Sequence, residues 1–233
     1  MEKTIKKPTF KEVVAVTTME LDNGLIFNAE RVGPMNFAGL RNADYGSGFR
    51  MPRMPELVPL VYASFENKDY GTAKKVIKTL RNNWLTGNTG ILYVPEGMYV
   101  QDNPELKNGR ISMNQKILES KLGKHEEKGV IFSDDKTIRF TPYNYKRDLQ
   151  SALELSKNPG IIALTGSEAN AEKLARVSER YKSRPYFWAL SNVAPQTRRV
   201  AGLDSYDLFD GRLRIGASDF GGSDSGFSFG VLK

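Results

Sequence analysis

The sequence predicts an α+β fold, in which short strands and hairpins alternate with several helices and a C-terminal strand closes the fold. Three observations predict it. Turn residues separate short apolar runs at Asp22-Asn23-Gly24, Pro95-Glu96-Gly97 and Ser133-Asp134-Asp135-Lys136, as in hairpins. Apolar residues recur at helical spacing over 55–67, 70–83 and 168–181. The C-terminal runs Arg212-Leu213-Arg214-Ile215 and Gly226-Phe227-Ser228-Phe229-Gly230-Val231 alternate, as half-buried strands do.

Taken in order, Phe10 to Val16 is rich in β-branched residues and predicts a strand, with Leu25-Ile26-Phe27 returning after the turn. The glycine- and asparagine-rich segment 33–50 reads as a connection. Its Gly46-Ser47-Gly48 is not followed by the Lys-Ser or Lys-Thr of a phosphate loop. Pro55 opens a helix to about Asn67 whose inner face is Leu57, Leu60, Val61, Ser64 and Phe65, with Pro59 late enough to disturb it. Asp69 is placed to cap a second helix, with Ala73, Val76, Ile77 and Leu80 inward. Strands follow at 91–94 and 98–101, then a short helix from Asn114, then the pair 130–132 and 137–140. Asp134 and Asp135 lie at that hairpin's tip and read as turn chemistry rather than a catalytic pair. Asp148 is placed to cap a helix to Lys157, and Ile161 to Leu164 is a wholly apolar, buried run. Ser167 caps a helix to Tyr181, and Pro185 to Leu190 is an aromatic strand. Alone, this last stretch also fits a βαβ fragment of an α/β enzyme.

Composition narrows the functions. The chain has 39% hydrophobic residues, enough for a sizeable core, and no cysteine, which excludes disulfides and thiolate metal sites. The N-terminus lacks the apolar stretch of a signal peptide, and no segment reaches the ~20 apolar residues of a membrane span. A virion or cell-surface position through a partner, or the cytoplasm, stays open. The net charge of +7 is spread over helices whose solvated faces explain it, so nucleic-acid binding is not expected. His125, the one histidine, lies in a charged link and cannot form a two-histidine metal site. There is no nucleophile elbow and no cysteine nucleophile. No catalytic residue, cofactor or metal is expected.

The stretch Asp204 to Ser228 is the most biased. It is rich in Asp, Gly, Ser and aromatics and contains no Lys, Glu, Gln, Met or Trp. Those five types make up 47 of the 233 residues, so about five are expected in a window of this length. Rigid aromatic area mixed with adaptable Ser, Gly and Asp is the chemistry of a displayed binding surface. A glycine-rich loop between short strands is the plainer alternative.

The segment Thr197 to Val231, from Thr-Arg-Arg-Val-Ala-Gly-Leu to Gly-Phe-Ser-Phe-Gly-Val, resembles the variable region of an archaeal, or archaeal-virus, diversity-generating retroelement protein. The resemblance implies error-prone copying at adenines of AAC or AAT codons, which cannot yield the five missing types. It also implies a C-type-lectin fold of the formylglycine-generating-enzyme type, whose chain closes on a Gly-Phe-x-Phe-Gly-Val strand. That enzyme's oxidation needs cysteines or an equivalent site, which this chain lacks, so its activity does not carry over. Residues 1–233 then form a single C-type-lectin-like domain with inserted segments, and 197–231 its variable ligand-binding region. Asp204, Asp207 and Asp210 are clustered, but the Glu-Pro-Asn and Trp-Asn-Asp motifs of calcium-dependent lectins are absent.

The expected division of labour is as follows. Leu203, Leu213, Ile215, Phe227, Phe229 and Val231 are buried anchors. Asp204, Tyr206, Asp207, Phe209, Asp210 and Arg214 are exposed contacts, as are Gly216, Ser218, Asp219, Phe220, Ser223 and Asp224. Tyr206, Phe209 and Phe220 are the affinity anchors. The ligand, an unspecified protein or surface partner, and the oligomeric state are left open. An α/β enzyme or a basic nucleic-acid-binding protein is the alternative.

Overall fold

A computed structural model describes residues 11–13, 18–191, 193, 195–206, 211–218 and 225–233, without the side chains of 11–13 and 218. The first half contains strands β1 (Lys11–Val13), β2 (Thr18–Glu20) and β3 (Ile26–Met35), helix α1 (Phe37–Asn42) and β4 (Phe49–Arg50). Helices α2 (Met54–Glu66) and α3 (Gly71–Asn82) follow, then β5 (Trp84–Val94), β6 (Gly97–Asp102), β7 (Glu105–Lys107) and β8 (Arg110–Ser112). The second half contains α4 (Gln115–Ser120), β9 (Leu122–Glu127), β10 (Val130–Ser133), β11 (Ile138–Pro142) and β12 (Asp148–Leu149). Helices α5 (Ala152–Ser156), α6 (Pro159–Thr165) and α7 (Glu168–Ser178) precede β13 (Tyr186–Trp188), β14 (Thr197–Asp204), β15 (Arg214–Ser218) and β16 (Gly226–Leu232). No helix among the described residues is long and apolar enough to cross a membrane.

Among the described residues fourteen strands join in one sheet along the path β1-β2-β3-β16-β5-β14-β15-β13-β12, with β6, β11, β10 and β9 branching from β5 and β4 pairing with β16. Strand β5 is its axis. Along one edge it pairs antiparallel with β14 from Leu85 to Tyr93. Along the other it pairs in parallel with β16 at Trp84 and Leu85, and then antiparallel with β6. Its residues from Leu85 onward are buried, as expected of a strand covered on both faces.

The main core lies between the sheet and helices α2, α3, α6 and α7. Leu57, Leu60, Val76, Leu80, Leu164 and Leu174 meet Leu85, Ala201, Leu203, Leu213, Ile215, Phe229 and Val231 there. A smaller cluster of Phe37, Leu40, Tyr45, Met51 and Val200 forms around α1, with Trp84, Leu106 and Ile111 against it. Alternation along β14 therefore splits its residues. Ala201 and Leu203 enter the main core, while Val200, Gly202 and Asp204 belong to the other face.

Several local expectations are corrected. Segment 33–50 is not a plain connection, since it holds the end of β3, α1 capped by Asn36, and β4. Helix α2 runs through Pro59. The N-cap of α3 is Tyr70, so Asp69 is not the cap. Asp148 lies in β12 at φ 64°, and the cap of α5 is Ser151, which with Glu154 forms a capping box. Ile161 to Leu164 is buried but helical. Asn158 accepts from the Gly160 N–H, Pro159 opens α6, and Gly166 ends it in the left-handed conformation. The stretch therefore enters β13 from two helices, and β13 pairs in parallel with the later β15. That removes the βαβ fragment on which the α/β alternative rested.

Candidate functional site

Asp204 ends β14 directly opposite Arg214 at the start of β15. Its Oδ1 accepts a 2.6 Å hydrogen bond from Arg214 Nε. It also lies 3.5 Å from the Tyr206 N–H. Asp204 is fully buried, which corrects its expected role as an exposed contact. Burial pushes its carboxyl above the ordinary value, and the Arg214 charge and hydrogen bond pull the other way. The carboxylate is thus a clamp for the arginine. Arg214 is partly exposed, and its guanidinium carbon sits 5.5 Å from the Trp84 ring and 5.6 Å from the Tyr206 ring. A cation fixed between two aromatic rings is held in orientation by all three contacts. Tyr181 braces the same corner by donating its hydroxyl to Ser205 Oγ at 2.9 Å.

Beside this cluster the sheet carries two facing glycines, Gly202 on β14 and Gly216 on β15. A Cβ on Gly202 would lie 3.0 Å from the Trp84 ring. One on Gly216 would lie 2.8 Å from the Trp188 carbonyl oxygen and 3.0 Å from its Cβ. Both are buried. Gly216 is therefore a packing position that lets β13 and β15 close up, not the contact the sequence suggested.

The same face continues outward to Tyr186 and Trp188 on β13 and to Leu149 on β12. Trp188 is 46% and Leu149 43% exposed. The Tyr186 hydroxyl donates to Asp148 at 2.9 Å, and this bond holds its own proton more tightly than usual. The charges of Arg147 and Arg212 act on the same hydroxyl. Trp, Tyr and Arg on one accessible face are the residue types that dominate binding energy at interfaces. Trp84, Tyr186 and Trp188 lie outside 197–231 and were missed as site residues. Tyr186-Phe187-Trp188 carried a signal, because alternation sends Phe187 to the core and its two neighbours to the other face.

Of the remaining expected contacts, Tyr206 is half-buried at the rim of the cluster. Ser218 ends β15, and its side chain lies outside the described residues. Asp207, Phe209, Asp210, Asp219, Phe220, Ser223 and Asp224 also lie outside them. The anchors Leu203, Leu213, Ile215, Phe227, Phe229 and Val231 are all buried. Among the described residues, no three His, Cys, Asp or Glu side chains come together to hold a metal ion.

No protein-family model matches the chain. No curated protein matches it either. A solved structure does. It is a protein of Nanoarchaeota described as accommodating massive sequence variation by the C-type lectin fold. It is similar at 14% identity and a TM-score of 0.55, over 94% of this chain and 99% of that one. At that identity the likeness speaks for the fold alone. The protein has the C-type lectin fold.

Proposed function

We propose that the protein is a diversified ligand-binding protein, in which 197–231 is mutagenised by a diversity-generating retroelement and presented on the Trp84–Arg214–Trp188 face. In this reading the fold is of the formylglycine-generating-enzyme type but binds rather than catalyses. One observation carries the proposal, namely the division of side chains within 197–231. Leu203, Leu213, Ile215, Phe229 and Val231 are buried in the core, whereas Tyr206 and Arg214 reach the opposite face beside the partly exposed Trp84. Such a division lets surface residues such as Tyr206 change at little cost while the core stays constant, Arg214 being the exception because it balances buried Asp204. The variation described for the similar Nanoarchaeota protein agrees with it.

The contacts are then Tyr206, Arg214 and Ser218, with Asp207, Phe209, Asp210, Asp219, Phe220, Ser223 and Asp224. Asp204 and Gly216 leave the set. The test is to sequence the DNA flanking the gene and look for a near-copy of the part encoding 197–231, beside a reverse transcriptase gene. The expected copy differs from the gene almost only at its adenines. It leaves the codons of Gly202, Asp204 and Gly216 unchanged. Absence of a copy, or differences concentrated in the codons of the buried anchors, would refute the proposal.

A further inference from the structure

Away from that face, the helical layer contains a cleft of about 800 Å³ between the end of α2, the outer side of α3 and the turn after α7. Lys74, Lys78 and Arg81 point into it from α3, at i, i+4 and i+7, so they form one stripe on the helix. Lys68 enters from the α2–α3 turn, and Arg180 from the residues after α7. Glu66 is paired with Arg180 at 2.5 Å, which neutralises both. That leaves four cations against Asp69, an excess of three. Lys68, Lys74, Lys78 and Arg81 form no ion pair among the described residues. Phe65 and Ile77 add hydrocarbon to the lining.

We propose that this cleft binds a small organic or inorganic ligand carrying two or more phosphate groups. Three features favour that chemistry. The four cations, three on α3 and one in the turn before it, line one concave space, rather than spreading over a flat surface as a nucleic-acid footprint would. The stripe from Lys74 to Arg81 is roughly 10 Å long at the helical rise, so a single small anion cannot engage all of it. Lysines serve as point charges for phosphate, and the arginine at the end of the stripe adds a planar fork. This site is independent of the proposed diversified face and does not require it.

The test is calorimetric titration of the full chain with inorganic triphosphate, at low and at physiological salt. The controls lie on the same helix. Lys78→Glu reverses a charge inside the cleft, whereas Lys75→Glu reverses one outside it, where Lys75 pairs with Glu30. The expected result is saturable binding that Lys78→Glu weakens by about tenfold or more and Lys75→Glu leaves within about threefold, since close charges act far more strongly than screened distant ones. Lys74→Gln repeats the comparison without reversing a charge, should Lys78→Glu fail to fold. Equal effects of the 75 and 78 variants would overturn the proposal in favour of diffuse attraction. No saturation at millimolar triphosphate would also overturn it. So would much tighter binding of a short oligothymidylate or of an acidic peptide, which would assign the cleft to a macromolecule.

Discussion

The guanidinium of Arg139 meets the carboxylate of Asp102 through two hydrogen bonds of 2.8 Å, with both side chains shut away from solvent. Asp102 also accepts the Thr89 hydroxyl at 2.7 Å, and that hydroxyl accepts the Met54 N–H at 3.0 Å. The pair thereby ties β5, β6 and β11 to the first turn of α2. Asp102→Ala strands a buried cation and should cost about 3–5 kcal/mol in urea unfolding. Replacing both partners with apolar residues, as Asp102→Leu with Arg139→Met, should recover most of that loss. A double variant as unstable as the single one would mean that the pair's hydrogen bonds, rather than its balanced charge, hold this junction.

Arg214→Ala leaves Asp204 buried without its counter-charge. The expected loss is about 2–3 kcal/mol near neutral pH, below the full buried-pair figure because Arg214 is partly exposed. The sign with pH follows from the direction of the shift. The folded carboxyl already titrates above its unfolded value, so the fold favours the protonated form. The destabilisation should shrink as pH falls toward about 3, below the unfolded value, where the acid is largely neutral in both states. Urea midpoints at the two pH values check this.

The two-glycine contact predicts a contrast. Gly216→Ala forces the new methyl against Trp188 backbone and should cost about 1–3 kcal/mol. Gly71→Ala, at the first position of α3 with open space around it, should be neutral or stabilising by up to about 1 kcal/mol. Thermal unfolding of both variants provides the comparison.

Glu56 supplies the acid sensitivity. Burial alone would raise its carboxyl, but hydrogen bonds from Arg50, Arg53 and the Arg53 N–H bring it down to about 2. A folded value below the unfolded one stabilises the protein above the unfolded value, and that stabilisation is lost as pH falls through the folded value. Stability should therefore drop between about pH 4 and pH 2, by roughly 3 kcal/mol from this group. In Glu56→Gln most of that drop should be absent, because the variant has already lost the stabilisation at neutral pH.

Much of the local structure was legible in the sequence. Period-two alternation located the buried anchors at β15 and β16, and helical stripes located α2, α3 and α7. Helix α6 was misread because a four-residue apolar run has no measurable period. Its caps, Asn158-Pro159 before and Gly166 after, held the answer. The sheet order was out of reach, because β5 meets β14 and β16 across more than a hundred residues. For the same reason, nothing local brings Trp84 to Arg214 or Trp188 to Gly216. Asp204 looked exposed because its Ser- and Asp-rich surroundings are polar, and only the register reveals the arginine facing it.

The place of β16 within the sheet has a consequence for inheritance. This strand lies between β3 and β5, yet its codons follow those of every proposed contact residue, the last of which is Asp224. A copying error that shifts the reading frame within those codons also erases the strand that joins the two parts of the sheet. The sheet would then split open with its edges unpaired, and such a chain is a target for proteolysis. Under the proposed diversification, only copies read correctly to the closing strand would yield a protein that persists, so the architecture would screen its own repertoire before any ligand is met.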